Sequence, residues 1–277
     1  MKTVTLPAGE RVPALGQGTW NMGDDRRTRA DEIATLRRGI DLGLTLIDTA
    51  EMYGNGRSEQ LVAEAIAGRR AEVFLVSKVL PGNASRRGTA AACEGSLKNL
   101  KTDRIDLYLL HWRGSVPFAE TLEALMALQH AGKIRHYGVS NLDFAETKEW
   151  WNTPGGEATA TNQLLYNLSR RGIEWDLAPW LRERHVPVMA YSPLQQARLF
   201  RNAKFAALAK ASGITTAQMA LAWLLAKDGV MVIPKCSSTA RVEENAAARD
   251  IQLTAAQLAK LDKLFPPPKG ARALEML

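Results

Sequence analysis

The chain has 277 residues, 46% of them hydrophobic, two cysteines and a formal net charge of +7. That much apolar material can bury one large core and no linker-like stretch divides it, so a single domain over residues 1–277 is expected. Cys93 and Cys236 lack any Cys-x-x-Cys spacing, no signal-peptide core opens the chain and no apolar run could span a bilayer; a disulfide scaffold, a thiolate zinc site and a membrane protein are disfavoured, and a cytoplasmic location is expected. The basic residues form scattered pairs such as Arg26-Arg27, Arg69-Arg70 and Arg170-Arg171. That distribution fits a phosphate-bearing small molecule better than a nucleic acid.

A hairpin is expected first, from Thr3 to Leu6 and Arg11 to Pro13 about a Pro7-Ala8-Gly9 turn. Short apolar strands and longer helices then alternate. Leu15 to Gly18 precedes a helix from Arg29 to Leu42, in which Ile33, Leu36, Ile40 and Leu42 form one face. Leu44 to Asp48 leads to helix Ser58 to Ala67, Val73 to Lys78 to helix Arg87 to Leu100, and Asp106 to His111 to helix Ala119 to Ala131. Ile134 to Ser140 leads to helix Phe144 to Trp151, and Ala158 to Gln163 to helix Ile173 to Arg184. Val186 to Tyr191 leads to helical material from Lys204 to Lys227, and Val230 to Pro234 to helix Ala240 to Ala248. A last helix, Ala255 to Leu264, is stopped by Pro266-Pro267-Pro268. Eight β-to-α steps with strands of similar length favour an α/β fold, a closed (β/α)8 TIM barrel with an N-terminal β-hairpin and an extra C-terminal helix. A doubly wound sheet competes, but Gly54-Asn55-Gly56-Arg57-Ser58-Glu59 lacks the third glycine of a dinucleotide fingerprint.

Three consecutive strands end in ionisable groups: Asp48, Lys78 and His111, with Tyr53 in the loop five places after Asp48. Carboxyl ends of barrel strands are where catalytic groups gather. Each residue alone has a plain structural explanation, as an ion pair, a packing ring or a satisfied histidine. Their joint occurrence favours a site. A metal centre is disfavoured, because His111, His130, His136 and His185 offer no pair at helical ligand spacing with a carboxylate.

In order along the chain stand Gly16-Gln17-Gly18-Thr19-Trp20, Asp48-Thr49-Ala50-Glu51-Met52-Tyr53-Gly54, Ser77-Lys78, Leu110-His111-Trp112, Gly138-Val139-Ser140-Asn141, Asn162-Gln163, Ala190-Tyr191-Ser192-Pro193-Leu194 and Ile233-Pro234-Lys235. With these motifs the chain resembles the aldo-keto reductases essentially from end to end, and among them most the bacterial reductases of methylglyoxal and related aldehydes. The resemblance implies a catalytic tetrad of Asp48, Tyr53, Lys78 and His111. Tyr53 would supply the proton that a reduced carbonyl needs, an adjacent Lys78 ammonium would lower the tyrosine pKa, Asp48 would hold Lys78, and His111 would orient the carbonyl.

The same resemblance implies NADPH/NADP+ as cofactor. Gly18, Thr19, Trp20 and Asp48 would lie against it, Ser140, Asn141 and Gln163 would bind its carboxamide, and Tyr191 would stack under the nicotinamide. Ser192, Pro193, Leu194 and Gln195 would line the pyrophosphate. Lys235, Cys236, Ser237, Arg241, Glu244 and Asn245 would surround the adenine and the 2′-phosphate, where two cations suit one phosphate. Cys236 stands where a hydroxyl residue is common. Trp20, Met22, Tyr53, His111 and Trp112 would line the substrate mouth, a composition suited to small or aromatic aldehydes. The resulting expectation is a monomeric reductase of small-molecule carbonyls, including 2-oxoaldehydes, with neither nucleic acid nor membrane as partner. A sugar or keto-ester reductase with the same tetrad, and a nucleotide-sensing regulatory subunit with little turnover, are the alternatives.

Overall fold

Strand parity decides where the chemistry goes. In the computed structural model, which describes residues 2–277, eight strands pair in parallel and in chain order: β3 (Gln17–Gly18), β4 (Leu46–Asp48), β5 (Phe74–Val79), β6 (Ile105–Leu110), β7 (Ile134–Ser140), β8 (Asn162–Leu165), β9 (Val188–Tyr191) and β10 (Val230–Val232). The ring closes between its first and last members, where Leu15 bridges Val232, Gly18 bridges Lys235, and Gly16 N donates to Val232 O at 2.8 Å. Side chains alternate across such a wall. Leu46, Phe74, Val76, Leu107 and Leu109 share one apolar cluster, while Ile47, Leu75, Val79, Tyr108 and Leu110 belong to a second one under the helices. Asp48, Lys78 and His111 therefore fall on the inward parity of β4, β5 and β6.

Helices α1 (Arg29–Asp41), α2 (Arg57–Ala65), α3 (Arg86–Leu100), α4 (Phe118–His130), α5 (Phe144–Asn152) and α6 (Leu177–Glu183) follow successive strands. After β9 come α7 (Ala203–Ala211) and α8 (Thr216–Leu225), and after β10 come α9 (Thr239–Ala247) and α10 (Ala255–Leu264). Close approach of α1 to the wall requires Gly39, because a Cβ there would meet the Gln17 amide at 2.1 Å, and that amide donates to Leu36 O and Leu44 O. The expected helical stretch from Lys204 to Lys227 is two helices: Gly213 at φ +70° breaks it, and Thr215 opens α8 with a capping box to Gln218. Two other expectations shift. Gly156–Ala158 is a 3-10 turn, so the strand expected from Ala158 begins at Asn162; Gly172–Glu174 is likewise a 3-10 turn ahead of α6.

The hairpin β1 (Thr3–Thr5) and β2 (Arg11–Pro13) pairs Val4 with Val12. Val4, Leu6, Val12 and Ala14 belong to the same cluster as the inward residues of the barrel. Glu10 fastens the hairpin to β7 by accepting from Arg135 at 2.7 Å and sharing a 2.6 Å hydrogen bond with His136 Nε2. The hairpin thus covers the amino-terminal end of the ring, leaving the carboxyl-terminal end for function.

Candidate active site

At that open end lies a cavity of about 310 Å³, lined among others by Trp20, Asp48, Met52, Tyr53, His111 and Trp112. Beneath it Lys78, with no exposed surface, donates to Asp48 Oδ2 at 2.9 Å, to Thr49 O at 2.8 Å and, more weakly, to Tyr53 Oη at 3.4 Å. Its Nζ also lies 4.9 Å from the centre of the Tyr53 ring. All four residues of the expected tetrad thus meet at one place. Burial pulls the Lys78 pKa down while the Asp48 carboxylate pushes it back up. Asp48 is itself enclosed and accepts a further hydrogen bond, at 2.8 Å, from Gln163 Nε2.

The Tyr53 phenol differs from the sequence expectation. Burial raises its pKa well above 10, and the Asp48 charge raises it further. The reason is that the ammonium is already committed to Asp48 and Thr49 O, and its hydrogen bond to the phenol is long. The Tyr53 phenol therefore keeps its proton. His111, 6% exposed, has its pKa lowered to about 2 by burial and by the Lys78 charge, so its imidazole is neutral. Its ring packs edge-on to Tyr53 at 5.8 Å and lies 4.9 Å from Trp112. The buried His111 Nδ1 has no hydrogen-bond partner among the described residues.

Along one rim, Ser140 Oγ donates to Gln163 O at 3.0 Å, Asn141 Nδ2 donates to Ser140 Oγ and to His111 O, and Tyr191 Oη donates to Asn141 Oδ1 at 3.0 Å. Asn141, at φ 55°, is in the left-handed region that asparagine tolerates, which turns its amide back toward the cavity. Burial lifts the Tyr191 phenol to about 12. Gly18, Thr19, Tyr191, Ser192 and Lys235 also border the cavity. Of residues 192–195 only Ser192 does so: Gln195 is buried and accepts from Asn167 Nδ2 at 2.8 Å, fixing a loop in which Gln195, Gln196 and Ala197 all have positive φ.

The far group lies on the segment between β10 and α9 and on α9 itself. Lys235 Nζ donates to Ser237 Oγ at 2.6 Å, Arg241 is exposed, and Asn245 is buried against the Cys236 thiol, which burial raises to about 11. Glu244 is half-buried on the same helix. Met22 is a correction. It is 1% exposed in the cluster under the helices and does not reach the mouth, because the chain turns inward at Gly23, whose N–H donates to buried Glu32 at 2.9 Å. Met52, exposed beside Tyr53, takes the wall position instead. Ile233, Met276 and Leu277 line the cavity too and were missed. Met52 was findable from its neighbour, whereas the carboxyl-terminal pair carries no periodic signal.

A sequence model described as the aldo/keto reductase family matches residues 14–265. The chain belongs to the aldo/keto reductase family. It is an oxidoreductase and, by its strand order and closure, a (β/α)8 barrel of that family. Methylglyoxal reductase YeaE of Escherichia coli is 52% identical to it over 281 aligned residues, covering 100% of this chain and 99% of the relative. A glyoxal reductase of Bacillus subtilis is 31% identical, covering 95% and 92%. Crystal structures of a Klebsiella pneumoniae aldo/keto reductase, one with NADP and acetate and one with NADPH, superpose with a TM-score of 0.97 at 50% identity, covering 100% of this chain and 99% of theirs.

Proposed function

We propose that this reductase uses NADPH to convert small aldehydes, 2-oxoaldehydes such as methylglyoxal among them, to alcohols, with Tyr53 delivering the proton. The observation that carries the reading is a buried ammonium shared between Asp48 and Tyr53 under an apolar cavity. Bound NADPH supplies the hydride. The residues fit such a group: one rim offers amide donors and acceptors in Asn141 and Gln163 beside the Tyr191 ring, and at the far end a lysine stands just after β10 and an arginine on α9. Lys235 and Arg241 would hold the 2′-phosphate, which NAD lacks.

As negative charge grows on the carbonyl oxygen, Tyr53 Oη and a neutral His111 N–H hydrogen-bond to it. An alkoxide is a stronger base than a phenolate, so Tyr53 gives up its proton even with a raised pKa, and the nearby Lys78 ammonium stabilises the phenolate that remains. Trp20, Met52 and Trp112 give the mouth apolar walls, which favour alkyl and aryl aldehydes over sugars. The relatives named as methylglyoxal and glyoxal reductases support the 2-oxoaldehyde assignment. We propose further that the chain acts as one domain and as a monomer in the cytoplasm. The test is NADPH oxidation with a panel of 2-oxoaldehydes, aryl aldehydes, keto-esters and sugars. Turnover confined to sugars or keto-esters overturns the substrate class, and nucleotide binding without turnover favours a sensor.

A further inference from the structure

On the outer side of β5, behind Lys78, a second carboxylate is enclosed. Glu59, in the first turn of α2, has no exposed surface; it accepts from the Ser77 hydroxyl at 2.7 Å on Oε1 and from the Asn99 amide at 3.0 Å on Oε2. Both donors are neutral, and no cation among the described residues is in ion-pair contact with it. A carboxylate in such a place is costly to desolvate. A neutral amide would fill the same volume, but it has one acceptor oxygen, whereas Ser77 and Asn99 direct donors at two, the pattern that suits a carboxylate.

Ser77 and Lys78 are neighbours on β5 and face opposite sides of the wall. The Asp48 and Glu59 carboxylates therefore flank the ammonium from inside and outside the barrel, and these two alone oppose the pull of burial on its proton. The other titratable groups nearby are Tyr53 and His111 on the Lys78 side, and Cys93 of α3 and Tyr108 of β6 on the Glu59 side. Asn99 also presses on the turn that carries Tyr53: a Cβ at Gly56 would come within 2.6 Å of its Nδ2. One carboxylate thus connects the strand bearing Lys78, helix α3 and the turn bearing Tyr53.

We propose that Glu59 is a positioning residue for the reduction: its buried negative charge and its hydrogen bonds to Ser77 and Asn99 hold the Lys78 ammonium and the Tyr53 turn in working register. This deepens the carbonyl-reductase reading and rests on it. The experiment follows the Lys78 ammonium by NMR of 15N-lysine protein, assigned by its loss in Lys78→Met, alongside the pH profile of kcat. Removing a negative charge makes an ammonium give up its proton more easily, so Glu59→Gln should move the Lys78 midpoint down by roughly one pH unit. The alkaline limb of kcat should move with it and kcat should fall about tenfold, with KM and NADPH affinity within about twofold. Glu59→Asp, which keeps the charge one methylene further back, should show less than half the displacement. A parental midpoint in Glu59→Gln, or an equal displacement in both variants, overturns the proposal. If Glu59→Gln does not fold, Glu59→Asp decides alone, a downward displacement supporting the proposal and none overturning it. The midpoint is read without substrate, so a parent protein that reduces no aldehyde refutes the proposed function separately.

Discussion

Neither Asp48 nor Lys78 can be removed singly without leaving the other buried and unpaired, which costs about 3–5 kcal/mol in such pairs. Tyr53 is the cleaner probe, since Tyr53→Phe keeps the ring and removes only the hydroxyl. Turnover at saturating aldehyde is expected to fall about 10²-fold to 10⁴-fold, with NADPH fluorescence titration unchanged; a loss of only a few-fold removes Tyr53 from the acid role. His111 makes a stability prediction with a definite sign. Its folded pKa of about 2 lies far below the unfolded imidazole value, so as pH falls below about 6.5 the unfolded chain takes up a proton that the folded one refuses. Stability should decline on acidification by roughly 1.4 kcal/mol per pH unit on this account, and His111→Gln should flatten that decline in urea melts between about pH 6.5 and 4.5. At the far end, Arg241→Ala should weaken NADPH binding by about 1.5–3 kcal/mol while changing NADH little. Equal weakening of both nucleotides would assign Arg241 to the adenine or to the fold.

Among the elements, legibility in the sequence followed locality. The ends of β4, β5 and β6 could be read because a short continuous apolar run announces its own stop, and Asp48, Lys78 and His111 lie at those stops. Met22 could not, since its burial depends on a turn at Gly23 and a hydrogen bond to Glu32. The sign of the Tyr53 pKa also escaped, because depth of burial and a long contact decide it. The segment after α10 is the largest omission. Leu274 packs against the inner core, Glu275 pairs with Arg170, and Met276 and Leu277 reach the cavity. These contacts join distant parts of the chain and leave no local pattern. If that segment forms part of the substrate wall, Met276→Ala should raise KM for an aryl aldehyde roughly three- to tenfold through lost apolar contact, and leave methylglyoxal nearly unaffected. Equal effects on both aldehydes would place the methionine in support of the fold.

Across the whole molecule, which carries a net charge of +7, many of the basic side chains are paired with acids. Arg29 pairs with Glu64, Arg38 with Glu243, Arg57 with Asp24, Arg69 with Asp41 and Glu72, and Arg113 with Glu149. Such exposed pairs add little stability but break up a basic surface. Duplex DNA should therefore not be retarded in a gel at about 150 mM salt; retardation that weakens steeply with salt would point to several phosphate contacts instead.

The hairpin under the ring has a kinetic meaning as well. With Val4, Leu6, Val12 and Ala14 stopping the amino-terminal end, every molecule that reaches Lys78 and Tyr53 must use the same doorway. On the proposed reading, traffic through one doorway should acquire an order: whatever seats against Tyr191 and Gln163 should enter before the carbonyl that closes over it from the Trp20 and Trp112 side, and leave after the alcohol. Oxidised cofactor should then compete with NADPH alone, and the alcohol should trap the enzyme with its cofactor still aboard. The barrel's plug makes the queue.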